Sequence, residues 1–165
     1  MEQRKDKEKT LSAGALLFVA CWTAYCASYL GRINYTAALT AIVADGVFSK
    51  PHAGFIGTVY FFCYGAGQIF SGILGDRVSP YKMIGAGLAG TVCANIIMPL
   101  CSSSYITMSI IWGLNGIVQS MLWTPVLYII ATVLPEEQRS RACLHIASSF
   151  PIGSLLSYVI SAAAI

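Results

Sequence analysis

The chain has 165 residues, of which 56% are hydrophobic and 10% charged, with a net charge of +3 and a mean hydropathy of +0.69. Soluble domains carry about 25% charged residues, and a water-exposed fold so poor in charge would present large apolar patches and aggregate. The composition therefore excludes an ordinary soluble domain and points to a chain surrounded largely by lipid.

Residues 1–12 read as a cytoplasmic tail. Arg4, Lys5, Lys7 and Lys9 alternate there with Glu2, Asp6 and Glu8. A short run of mixed sign with no aromatic or basic face to extend it is not a nucleic-acid surface. The apolar run that follows, from Leu11 to Leu30, is too long for the core of a signal peptide and is followed by more such runs, so it reads as a retained first helix.

A bilayer core of about 30 Å takes about 20 apolar residues in a helix, and five stretches qualify. They are 13–39, with Arg32 as its only charge, then 54–75, 83–101, 105–134 and 142–165. The last is still apolar at the end of the sequence and reads as a truncated fifth span. Backbone groups in lipid must be satisfied within a helix or a closed barrel. Barrel strands would alternate apolar and polar residues, and these segments do not. The expected fold class is all-α, a polytopic transmembrane helical bundle over residues 13–165.

The links Asp76–Lys82, Ser102–Ser104 and Pro135–Arg141 are short, which makes sequential spans antiparallel. The longest link, 40–53, holds Asp45-Gly46 and Pro51. With the N-terminus in the cytoplasm, Arg4, Lys5, Lys7, Lys9, Arg77, Lys82, Arg139 and Arg141 all lie inside, eight of the ten basic residues. That is the orientation that basic residues favour, in a plasma or bacterial inner membrane. Gly67, Ser71 and Gly75 follow the small-xxx-small spacing that clears a helix face for close packing, and Pro125 and Pro151 read as helix interruptions.

The six cysteines include no CxxC pair. They read as small packing residues rather than disulfide or zinc ligands, so no metal or other cofactor is expected. No phosphate loop, HExxH or GxSxG occurs. No catalytic residue is assigned, and the chain does not read as an enzyme.

Arg32 is the informative residue. A charge near mid-membrane costs about 2.5–3.5 kcal/mol on insertion scales and normally faces a bundle interior or a watery cavity. All seven acids lie at span ends or in links, so no carboxylate inside the spans can neutralise it. An unpaired guanidinium presents a fork of donors suited to phosphate or carboxylate. The competing reading is that Arg32 snorkels to the outer surface. Tyr25, Tyr29 and Arg32, spaced four and three apart, share one helix face, which Tyr35 and Thr36 would extend. Tyr64 and Gln68 form a second polar pair, four apart, in the second span.

The segment Gly72-Ile-Leu-Gly-Asp76-Arg77-Val-Ser-Pro-Tyr-Lys82 places a carboxylate at a cytoplasmic helix end beside basic residues in a tight turn. It resembles the turn between the second and third helices of the major facilitator superfamily, with Gly72, Asp76, Arg77 and Lys82 matching and Ser79-Pro80 replacing the commoner Gly-Arg. Tyr29-Leu-Gly-Arg32-Ile-Asn34-Tyr35 and Gly113-Leu-Asn-Gly-Ile-Val-Gln119-Ser-Met-Leu-Trp123-Thr-Pro125 are similar to the first and fourth helices of its organophosphate:phosphate antiporters. The similarity runs from about Trp22 to Gly153. Two positions depart from the glycerol-3-phosphate carriers: Gln68 stands where they have lysine and Phe150 where they have histidine.

The resemblance implies most of the N-terminal six-helix half of a facilitator fold, in which Arg32 binds the phosphoryl group of a small organic anion. Tyr25, Tyr29, Tyr64 and Gln68 would line the cavity, while Gly72, Asp76, Arg77 and Lys82 would form a conformational gate. The implied partners are the lipid bilayer and a missing C-terminal half. The alternatives are a proton- or sodium-coupled carrier of an organic carboxylate and a transporter-like membrane sensor of a sugar phosphate.

Overall fold

The computed structural model describes residues 2–164, with side-chain surroundings for 13–163. It contains six α-helices: α1 Glu2–Ala44, α2 Lys50–Gly75, α3 Pro80–Ile97, α4 Tyr105–Val133, α5 Glu136–Ile146 and α6 Ser149–Ala164. A 3-10 turn, Met98–Cys101, extends α3. No strand occurs among the described residues, in agreement with the all-α expectation. Five helical segments are long and apolar enough to cross a membrane, α5 and α6 together supplying the fifth.

The ends of the helices follow from local chemistry. α1 ends on Gly46, whose φ of 69° puts it in the left-handed region. Gly46 N–H donates to the Val43 carbonyl and Val47 N–H to that of Ile42, the paired closure that favours glycine at this position. α2 and α3 begin at Lys50 and Pro80, each with a proline in its first turn. Proline's fixed φ suits a helix start and its missing N–H is not needed there. Both helices therefore begin earlier than the expected 54 and 83. The expected boundary at residue 12 is not a break in the backbone, because α1 runs through it from Glu2.

The fifth span also differs from the expected continuous helix. It is split at Ala147–Ser148. Pro151 has no N–H to offer the Ala147 carbonyl, which instead accepts from Phe150 N–H at 3.3 Å. The Ser148 hydroxyl donates to the His145 carbonyl at 2.7 Å and the Ser149 hydroxyl to that of Ile146. Pro151 thus falls in the first turn of α6, where proline is tolerated. Pro125, expected to interrupt the fourth span, sits buried inside an unbroken α4.

α4 is the centre of the bundle, packed against α2 on one side and α3 on another, while α6 lies along α1. The α2–α4 contact is backbone-close: a Cβ on Gly116 would fall 2.5 Å from the Tyr60 carbonyl oxygen. Gly67 and Ser71 face this seam, and the hydroxyls of Ser71 and Ser120 lie 2.9 Å apart. Gly75, expected to continue the stripe, meets nothing. α1 and α6 approach almost as closely, a Cβ on Gly153 falling 2.6 Å from the Cys26 carbonyl oxygen. Two main apolar clusters fill the interior. One contains Val126, Ile129, Ile130 and Ile146, the other Ile56, Tyr60, Met108 and Trp112. The outer surface is apolar too, with Phe62, Ile69, Leu100 and Leu155 exposed, as required where the surroundings are hydrocarbon.

Candidate functional site

Arg32 extends from α1 toward the middle of α2. Its guanidinium carbon lies 4.6 Å from the ring centroid of Tyr64, 5.5 Å from those of Phe61 and Tyr29, and 5.6 Å from that of Tyr60. Tyr64 lies three residues from Phe61 and four from Tyr60, so it neighbours both along α2. Tyr64 lies about 21 Å along α2 from Lys50 at 1.5 Å per residue. The guanidinium therefore lies beside the middle of α2.

A ring face attracts a cation through its quadrupole, worth about 0.5–1 kcal/mol when exposed and about 2 or more when desolvated. It does not neutralise the charge. Residues 13–44, 50–75, 80–101 and 105–133 contain no Asp or Glu, so no carboxylate of these helices competes for the guanidinium. The side chain is only partly buried. It is a full charge steadied by aromatic faces and left open on one side.

The flanking tyrosines are fixed from behind. Tyr29 Oη donates to Tyr25 Oη at 3.3 Å, and the two rings meet edge to face at 5.4 Å. Tyr25 packs on Trp123 of α4 at 4.9 Å and Tyr29 on Phe150 of α6 at 5.2 Å. Tyr60 is 1% exposed, lies 6.2 Å from Tyr64 in a stacked pair, and has no hydrogen-bond partner for its hydroxyl among the described residues. Tyr29 and Tyr64 thus touch Arg32 directly, and Tyr25 is joined to it through Tyr29.

Gln68, one turn along α2 from Tyr64, is engaged elsewhere, accepting from Thr124 Oγ1 at 3.5 Å. Tyr35 does not extend the Arg32 face. Its hydroxyl donates to the Ala53 carbonyl at 2.8 Å and its ring packs on Trp112, 5.4 Å away. Thr36 is exposed.

Gly72, Asp76, Arg77 and Lys82 lie apart from this cluster, all exposed around the α2–α3 turn. Asp76 caps α2, its N–H donating to the Leu74 carbonyl. It borders a small cleft with Gly72, Gly75, Pro80, Met83 and Tyr128. A larger cavity between α1, α3 and α4 is lined by Tyr35, Ile42, Phe48, Met98 and Trp112. It is apolar and Arg32 does not line it.

Sequence reasoning missed Tyr60 and Phe61 as neighbours of Arg32. The signal was present in the four aromatics of the run Tyr60-Phe61-Phe62-Cys63-Tyr64, but which side of α2 faces α1 depends on packing. It also missed Trp123 as the support for Tyr25.

The fold defines an integral membrane protein, a bundle of apolar helices with Arg32 set among the aromatic rings of α1 and α2. The chain belongs to the Major Facilitator Superfamily, which it matches over residues 21–165. It is 29% identical over 140 residues to a probable hexose phosphate transport protein of Chlamydia pneumoniae, covering 85% of this chain and 30% of the relative. It is 31% identical over 103 residues to the membrane sensor protein UhpC of Escherichia coli, covering 62% and 23%. It is 30% identical over 112 residues to the glycerol-3-phosphate transporter of Bacillus subtilis, covering 66% and 25%. The chain thus spans between 23% and 30% of the length of these relatives. No solved structure matches it.

Proposed function

We propose that this chain forms the N-terminal part of a secondary active transporter for a small organic anion, an organophosphate or sugar phosphate exchanged for inorganic phosphate. The observation that carries this reading is the Arg32 guanidinium, held at mid-helix among Tyr29, Tyr60, Phe61 and Tyr64 with no carboxylate in the surrounding spans. A phosphoryl group supplies the missing negative charge and accepts two parallel N–H bonds from the guanidinium. The hexose phosphate and glycerol-3-phosphate relatives support a phosphorylated substrate. Tyr25, Tyr29, Tyr64 and Gln68 complete this half of the cavity, and a C-terminal half closes it from the other side.

In this reading Gly72, Asp76, Arg77 and Lys82 act away from the substrate. Asp76, at the mouth of the cleft between α2, α3 and α4, steadies the closed cytoplasmic side, and the basic residues of the turn face the cytoplasm with the N-terminus. The membrane is the plasma or bacterial inner membrane.

The test is Arg32→Lys in the full-length protein reconstituted into liposomes. Lysine keeps the charge but not the bidentate fork. Phosphate exchange is expected to fall to background while the amount of folded protein stays unchanged. Undiminished exchange would remove Arg32 from the site.

A second reading, a sensor that binds the same anion and signals through a partner, is favoured by the 31% identity to UhpC. Fold alone does not separate carrier from sensor. A sensor would bind phosphate or sugar phosphate with negligible turnover in the same liposomes.

A further inference from the structure

The α1 turn that carries Arg32 is held by two amides of α4. Gln119 is 3% exposed, and its Nε2 donates to the Ser28 carbonyl at 2.9 Å. Asn115, one turn earlier on α4 and 0% exposed, donates from Nδ2 to the Gly31 carbonyl at 3.0 Å. Asn95 of α3 donates to the same Gly31 carbonyl at 3.0 Å. Ser28 lies four residues before Arg32 and Gly31 immediately before it.

The amide orientations are dictated by their partners. Each nitrogen faces a carbonyl oxygen, and a flipped amide would set oxygen against oxygen. The Gln119 bond need not replace a helix bond, because the Ser28 carbonyl has a second lone pair. The Gly31 carbonyl takes up both of its lone pairs with Asn115 and Asn95, and Tyr35 N–H, four residues on, donates to Asn34 Oδ1 at 2.8 Å. Two donors four apart on α4 meet two acceptors three apart on α1, so sliding or rotating α1 breaks both bonds together. Hydrogen bonds between helices in lipid add little stability on average, so this buried pair matters more for alignment.

We infer that Asn115 and Gln119 are positioning residues, which set the depth and rotation of Arg32 among its aromatic neighbours and so the affinity of the site for a phosphoryl group. The inference rests on the anion-carrier reading of Arg32. Misplacing a binding group by about 1 Å is enough to lose up to about a hundredfold in rate, so a loosened α1 turn is expected to show in phosphate binding before it shows in folding.

The experiment measures inorganic phosphate exchange by the full-length protein in liposomes, with KM and kcat separated. Gln119→Met nearly keeps the volume and removes the donor, and Asn115→Leu removes the donor one turn away while keeping the branching and heavy-atom count of the side chain. Each is expected to raise KM for phosphate about tenfold and leave kcat within about twofold of the parent, as for lost uniform binding. Ser120→Ala is the control. It breaks an equally buried bond, to Ser71 of α2, that does not touch α1, and it is expected to leave KM unchanged.

An unmoved KM in both amide variants, with exchange still abolished by Arg32→Lys, would overturn the positioning role and spare the site. So would an equal rise in Ser120→Ala, which would make the effect one of general packing. Failure of both amide variants to fold while Ser120→Ala folds would make them scaffold residues and overturn it too. Exchange that survives Arg32→Lys would sink the reading of the site, and this inference with it.

Discussion

Two charged regions of this chain meet opposite environments. At mid-bundle, Arg32 is partly buried among four aromatic rings on α1 and α2. At the α2–α3 turn, Asp76, Arg77 and Lys82 are all exposed. A charge in water is screened, and its pairings are worth about 0–1 kcal/mol. A charge inside a lipid-embedded bundle keeps its field and attracts a partner of opposite sign. Under the proposed function the difference separates two roles: the partly buried arginine for recognition, and the exposed turn for a contact made and broken as the protein changes shape.

Substitutions can break or sharpen that contrast. The largest effect is expected at Arg32, where the lysine variant should lose exchange by at least about a hundredfold, the loss that removal of a single well-placed donor can produce. Next is Tyr64, the nearest ring at 4.6 Å. Tyr64→Leu removes a partly desolvated cation–π contact worth about 1–2 kcal/mol and should raise KM for phosphate about tenfold, whereas Tyr64→Phe should recover most of the loss. Equal losses in both variants would assign the effect to the hydroxyl.

At the exposed turn, Asp76→Asn should change turnover and not affinity, lowering kcat about threefold with KM within error. A rise in KM alone would place Asp76 in the binding site and erase the contrast. The smallest effect is expected at Tyr60, whose buried hydroxyl has no partner among the described residues. Leaving such a group unsatisfied costs about 1–3 kcal/mol, so Tyr60→Phe should raise the melting temperature slightly and leave exchange intact. A loss of exchange would show that the hydroxyl contacts the substrate. Inhibition of exchange by a simple carboxylate as strong as that by sugar phosphate would redirect the substrate assignment to organic carboxylates.

Much of the fold was legible before the structure because lipid imposes simple rules. The spans follow from long apolar runs, and their short links make neighbours antiparallel. Arg32 stood out because it is the single charge in the 13–39 run. The ends were less legible. Pro51 and Pro80, placed in links by the sequence, open their helices, whereas Pro125 leaves α4 intact and Pro151 accompanies a split fifth span. Residue type alone does not separate these outcomes, because the effect of a proline depends on which turn of the helix it enters.

The family resemblance pointed to Tyr25, Tyr29, Tyr64 and Gln68 together, and the structure places them unequally around Arg32. Tyr29 and Tyr64 touch it, Tyr25 reaches it through a hydroxyl pair, and Gln68 turns to Thr124. Composition and the long apolar runs determined that this is a membrane bundle whose first span carries a single charge, Arg32, with no carboxylate inside the spans, since a chain so poor in charge is excluded from water. Only the tertiary structure decided what surrounds that cation. The rotation of α2 depends on where Gly116 lets the Tyr60 backbone approach α4, and the register of α1 on the amides of Asn115 and Gln119. Those are contacts between distant parts of the chain, and no local spacing encodes them.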